Sequence, residues 1–181
     1  MNHPLTGRSA LVTGGTRGIG AAIATRLLAE GASVTITGTR PEATFPEGCL
    51  YRAVDFANRT ATEEFAAELA DWDLDILVNN AGINKIGHFS QLNTADFDRI
   101  IEVNLRAPFL LCRSVLPGMQ RKRWGRIVNI CSIFGIVSKE FRAPYSASKF
   151  GLDGMTAALA AEVAKEGILA NCVSPGFVDT E

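Results

Sequence analysis

In the stretch "YSASK", Tyr145 precedes Lys149 by four places. On a helix that spacing puts both side chains on one face, about 6 Å apart along the axis. A free phenol ionises at pH ~10, and lowering that value by one pH unit takes about 1.36 kcal/mol. Roughly 4 kcal/mol of preference for the phenolate would bring Tyr145 near neutrality, and an ammonium in a partly dry cleft can supply much of that. Such a phenol can protonate a carbonyl oxygen or accept the proton of an alcohol. The same spacing also suits a lysine snorkelling past a half-buried tyrosine, so the neighbouring motifs must decide. Ser132 stands at the end of an apolar run and can donate a hydrogen bond to an oxygen facing Tyr145. It has no general base to make it a nucleophile, since neither His3 nor His88 has a visible tie to it.

A second group of residues points to a phosphate. "TGGTRGIG" (13–20) sets Gly14, Gly18 and Gly20 at GxxxGxG spacing between an apolar run and a helical pattern. Glycine permits the tight turn and the close approach of backbone, and the helix start offers free amides to a pyrophosphate. A nicotinamide dinucleotide fits that cradle. Where the second strand ends, an acid would hold a ribose 2′-hydroxyl and a cation would suit a 2′-phosphate. The chain has Gly38-Thr39-Arg40 there, with Arg17 in the glycine turn. Two arginines sharing a phosphate favour NADP(H), with NAD(H) as the alternative. Solvated arginines, or Arg40 paired with Glu42 or Glu47, are the plainer readings.

The elements that must position these residues follow from alternating patterns. Runs at 9–13, 33–37, 50–54, 75–79, 126–131 and 168–173 read as strands. Helical patterns lie near 18–30, 61–71, 95–121 and 144–166, and Thr60 with Glu63 suggests a capping box for the second. Residues 38–49, with two prolines and two glycines, read as a loop. The order predicts a single α/β domain with a doubly wound parallel sheet buried on both faces. Pro108 has no N–H for the carbonyl of Asn104, so the third helix should bend there.

Composition narrows the function classes. The 181 residues suit one domain, and a net charge of -1 argues against a nucleic-acid binder. Apolar residues at 47% provide for a core. No apolar run of about 18 residues is present to span a membrane. The start "MNHPLTGRSALVTGG" lacks a signal-peptide pattern. Cys49, Cys112, Cys131 and Cys172 are scattered, which predicts no metal, free thiols and a cytoplasmic setting. Strand alternation sends Cys131 to the face opposite Ser132 and into the core. The basic cluster "RKRWGR" (121–126) reads as a solvated helix end, or as a dock for an acidic partner. His88 reads as an ordinary loop residue, with the edge of a substrate pocket as the alternative.

"TGGTRGIG", "NNAG" (79–82), Asn104, Ser132 and "YSASK" occur in that order, and together they resemble the short-chain dehydrogenase/reductase family, from about residue 5 onward. The resemblance implies a Rossmann fold with cofactor and catalysis in one domain. It implies Tyr145 as acid/base, Lys149 as its modulator and ribose holder, Ser132 as the orienting donor and Asn104 as part of a water relay. It assigns Thr16 and Ile19 in the glycine turn, Thr39 with Arg40, and Phe56 with an adenine-facing Asp55 to the cofactor. Asn80, Ala81 and Gly82 would line the cleft, with Asn79 steadying the sheet. Pro175, Gly176, Val178 and Thr180 would meet the nicotinamide. The substrate would be a small carbonyl or alcohol compound, with 3-oxoacyl thioesters on acyl carrier protein as one class and NAD-linked alcohol or sugar oxidation as another. The Ala-rich pattern at 144–166 would pair subunits in a homodimer or homotetramer. Family chains continue beyond "PGFVDTE" with a substrate lid, a helix and a last strand, so the domain reads as C-terminally incomplete. A non-catalytic nucleotide-binding or oligomer-supporting module is the competing class.

Overall fold

Side chains alternate across each strand, and that alternation divides the core into two layers. Residues 3–180 are described by the computed structural model. Strands β1 (Ser9–Val12), β2 (Ser33–Gly38), β3 (Leu50–Ala53), β4 (Ile76–Asn79), β5 (Gly125–Ile130) and β6 (Ile168–Val173) form one parallel sheet. Leu11, Leu77, Ile127 and Ile168 face one layer, with side chains of α2 (Arg59–Leu69), α4 (Ala107–Lys122) and α5 (Ala143–Val163). Ala10, Val12, Val34 and Ile36 face the other, against Ala24 of α1 (Gly18–Ala29). Each fully buried aliphatic side chain contributes about 1.5–3 kcal/mol.

The strand order is β3-β2-β1-β4-β5-β6. It reverses between β1 and β4, and ligands of open α/β sheets bind in the crevice outside that point. Thus the glycine turn after β1, "NNAG" after β4 and Ser132 after β5 all emerge at one edge. The fold is the expected doubly wound sheet, with no helix across 38–49.

Three local expectations change. The sheet is not covered on both faces throughout: Leu169 and Val173, on the α1 side of β6, are each 48% exposed, because α1 reaches only the β1–β2 half. Asn58, not Thr60, caps α2, its side chain accepting from the Ala61 N–H at 3.1 Å. The third helix is not one bent rod. It divides into α3 (Thr94–Ile101), a π turn over Glu102–Arg106, and α4. The Ala107 N–H bonds the Glu102 carbonyl five residues back, a lengthened register beside the donor that Pro108 lacks.

The basic cluster lies at the opposite end of the sheet from the crevice. Lys122 Nζ donates to the Leu74 carbonyl and to Asp75, and Arg126 to the Gly167 carbonyl. Trp124 is sandwiched by Arg8 and Arg126. These contacts favour a structural role at the helix end over a dock for an acidic partner.

Candidate active site

The glycine turn is closed by threonine and asparagine. The Thr13 hydroxyl, buried, accepts the N–H groups of Asn80 and Ala81, both at 2.9 Å. The Asn80 amide donates back to the carbonyls of Thr13 (2.9 Å) and Gly14 (3.0 Å). Gly14 and Gly18 have φ of +63° and +54°, the left-handed region that glycine tolerates. A Cβ at Gly14 would lie 3.0 Å from the Ala81 Cα, and one at Gly20 2.3 Å from the Gly14 oxygen. The backbone therefore forms a bare cradle at the start of α1, which fits a pyrophosphate. Arg17, Thr39 and Arg40 are exposed, and neither arginine has an acidic partner among the described residues. Thr16 stands beside Gly38, within 2.9 Å of where a Cβ would be.

Tyr145 and Lys149 lie on α5, as the spacing requires, and Ser132 follows β5. The Ser132 hydroxyl accepts the Phe134 N–H at 3.1 Å, which steadies the turn after the strand. Lys149 is 3% exposed, and its ammonium donates to the Ile130 carbonyl at 2.7 Å. Asn104, fully buried in the π turn, accepts the Ile83 N–H (2.8 Å) and donates to the Ile83 carbonyl (2.9 Å) and the Ser148 hydroxyl (3.0 Å). Ser148 in turn donates to the Tyr145 carbonyl at 2.7 Å. One chain of buried and part-buried hydrogen bonds thus joins the π turn, the segment after "NNAG" and α5.

The electrostatics differ from the expectation for the phenol. Burial pushes Tyr145 above its ordinary range, against the opposing pull of the adjacent Ser132 hydroxyl and the Arg142 charge. Lys149 is not the group that acidifies it here. Burial lowers the Lys149 ammonium, which sits 5.7 Å from the Tyr145 ring centre. With no further charge in the cleft, the phenol holds its proton.

A cavity of about 340 Å³ opens between these elements. Of the expected residues, Ile19, Asn80, Gly82, Ser132, Tyr145, Lys149, Pro175 and Gly176 line it. Asn104 is behind the wall. Arg40 and Asp55 lie off this cavity, at the far end of the same sheet edge, with Asp55 accepting the Ala57 N–H at 3.0 Å. Phe56 turns its ring into the core against Phe65, so only its backbone faces the edge. Thr180 packs on Gly18, and Val178 is half exposed. The sequence reading missed Ile83, Asn84, Ile133, Phe134, Arg142 and Phe177, all of them in the wall. Arg142 alone carried a signal, as a charged residue one turn before Tyr145. His88 stacks edge-on against Phe141 and stays off the cavity.

Cys131 is buried on the α5 side of the sheet, the face it shares with Ile127 and Asn129, as strand alternation predicts. It donates to the Lys149 carbonyl at 3.1 Å. A hydrogen bond from Cys172 would hold Cys131 at about 6, as a thiolate. That form would set a negative sulfur against the carbonyl oxygen, so the thiol is the state consistent with the contact. The cysteines are less scattered in space than in sequence: Cys131, Cys172 and Asp153 bring their ligand atoms within 4.8 Å of one another.

The sheet is also tied across its layers. Asn79 donates to Asn129 at 2.8 Å, and Asn129 to Thr156 of α5 at 2.7 Å. No helix among the described residues is long and apolar enough to cross a membrane.

Residues 8–181 match the family model described as short chain dehydrogenase. The chain is 43% identical over 185 residues to nodulation protein G of Rhizobium sp. (strain N33), covering 97% of this chain and 75% of that protein. It is 42% identical over 181 residues to the 3-oxoacyl-[acyl-carrier-protein] reductase FabG of Rickettsia bellii (strain RML369-C), covering 98% of this chain and 75% of that one. Among solved structures, a protein assigned as an NAD(P)-dependent gluconate 5-dehydrogenase from Beutenbergia cavernae, with bound NADP at low occupancy, superposes with a TM-score of 0.90. It is 33% identical, and the match covers 99% of this chain and 76% of that one.

Proposed function

The chain belongs to the short-chain dehydrogenase family, and we propose that it is an NADP(H)-dependent oxidoreductase interconverting a ketone and a secondary alcohol. The observation that carries this reading is the convergence of Ser132, Tyr145 and Lys149 on one cavity whose rim includes Ile19 of the glycine turn. The bare backbone at Gly14, Gly18 and Gly20 would hold the pyrophosphate, and Arg17 and Arg40 would hold a 2′-phosphate. When bound, the nicotinamide supplies or accepts the hydride.

The residues of the chain handle the oxygen and its proton. Ser132 donates a hydrogen bond to the substrate oxygen and fixes it toward Tyr145. Tyr145 gives its proton to that oxygen as carbon is reduced. A phenol held above its ordinary range is protonated at neutral pH, the form that can donate to the oxygen in reduction. Lys149, anchored on the Ile130 carbonyl, keeps a positive charge on the same helix face and can hold ribose hydroxyls. Asn104 positions Tyr145 through Ser148 and fixes the segment after "NNAG" through Ile83.

The relatives' names make 3-oxoacyl thioesters the first compounds to try, with sugar acids and simple ketones beside them. Assembly as a homodimer or homotetramer is part of the reading: Phe109 of α4 and Phe150 of α5 stand 49% and 45% exposed, suitable for a subunit contact. The test is consumption of NADPH and of NADH, followed at the reduced-nicotinamide absorbance band, across a ketone panel. We expect turnover with NADPH and weaker binding of NADH. Tight binding with no turnover of any compound would favour a non-catalytic module, and equal affinities would undo the arginine argument.

A further inference from the structure

The cavity wall carries two cations and no acid. Its charged side chains are Lys149 and Arg142. Lys149 is committed to the Ile130 carbonyl. Arg142 has no acidic partner among the described residues. Arg142 is part-buried, and its guanidinium stands in the cleft wall without such a counter-charge, available to pair with an anionic ligand.

The structure holds Arg142 in place. It is the residue before α5, and its carbonyl accepts the Ser146 N–H at 2.8 Å. Its guanidinium carbon lies 5.7 Å from the centre of the Phe134 ring. Phe134 is in turn pinned by its N–H on the Ser132 hydroxyl, and its ring meets Tyr145 edge-on at 6.5 Å. Arg142 immediately precedes the first turn of α5, on which Tyr145 lies, and both line the cavity. The guanidinium is close enough to favour the ionised phenol. The rest of the wall around it is apolar or neutral: Ile83, Ile133, Phe134 and Phe177 with Asn84.

We propose that Arg142 is the carboxylate-binding subsite of the substrate pocket, and that the substrate is an oxo acid or the corresponding hydroxy acid with its carboxylate a few carbons from the reacting centre. A planar fork of N–H donors matches a carboxylate through two parallel hydrogen bonds. The acid would reach Arg142 with its charged end while its carbonyl oxygen lies between Ser132 and Tyr145. This inference rests on the oxidoreductase reading and narrows its substrate. It separates a small acid from a neutral acyl thioester, which brings no charge to that position.

The experiment compares 3-, 4- and 5-oxo acids with their primary amides, in the presence of NADPH, for the unaltered protein and for Arg142→Gln. Loss of a charge-assisted pair corresponds to about ten- to hundredfold in kcat/KM. We expect the unaltered protein to prefer the acid of at least one length over its amide by about tenfold or more, and Arg142→Gln to bring that ratio close to one. Equal kcat/KM for acids and amides in the unaltered protein overturns the proposal. So does an equal loss on both in Arg142→Gln, which would place Arg142's effect on Tyr145 instead. If no compound is turned over, the oxidoreductase reading fails by itself, and ligand-observed NMR with the same acids and amides still decides the subsite. Binding of acid over amide that disappears in Arg142→Gln supports it, and binding that is indifferent to charge or to the substitution overturns it.

Discussion

Gly20→Ala tests the cradle at its tightest point. A methyl group there would lie 2.3 Å from the Gly14 carbonyl oxygen and 2.5 Å from the Asn80 amide nitrogen. Neither is a flexible side-chain end: one is backbone, and the other is held by two hydrogen bonds. The turn must open, and both Asn80 bonds are put at risk, at about 1 kcal/mol each. Overpacking adds about 1–3 kcal/mol. The sum is a destabilisation of about 3–5 kcal/mol, read as a lower denaturant midpoint with an unchanged slope. NADPH affinity should fall with it, because the displaced backbone is the surface that would meet the pyrophosphate. Gly154→Ala is the control. That glycine lies in α5 with nothing within 4 Å of its would-be Cβ, so alanine should stabilise by about 0.5–1 kcal/mol. An unchanged midpoint and unchanged NADPH binding in Gly20→Ala would refute the reasoning about the turn.

Two further outcomes follow from the site. Asn104→Ala leaves the part-buried N–H and carbonyl of Ile83 without their side-chain partner, so unfolding should show a loss of about 1–3 kcal/mol; a loss under about 0.5 kcal/mol would mean that water replaces the side chain. The reductive kcat/KM should stay flat from about pH 6 to about pH 9 and fall only as pH rises through the raised phenol range, because the acid form is the working form; a descending limb near neutrality would show that the phenol is acidic without further charge in the cleft.

Much of this was readable from residue types and spacing. The six strands appear within a residue or so of their apolar runs, most sharply in the central strands, which are buried on both faces and leave little room for polar residues. Tyr145, Lys149 and Ser132 meet because strand ends and helix faces fix their positions. What was not legible depends on tertiary placement. The ring of Phe56 goes to the core because Phe65 waits there. The Thr13 and Ser148 hydroxyls hold the turn and the helix, yet each is an ordinary residue in its local pattern. The π turn around Asn104 needed the packing of α3 and α4, and Pro108 announced only that the register would break. The phenol's proton affinity could not be read from an i, i+4 pair, since burial outweighs its polar neighbours and the Lys149 ammonium is drawn to Ile130.

Tyr145→Phe removes only the proton-donating oxygen from the cavity. Measured side by side, NADPH binding should persist within a few-fold, while ketone reduction falls by about 10²–10⁴-fold, the range for a lost general acid. Reduction at close to the original rate by the phenylalanine variant would contradict the account.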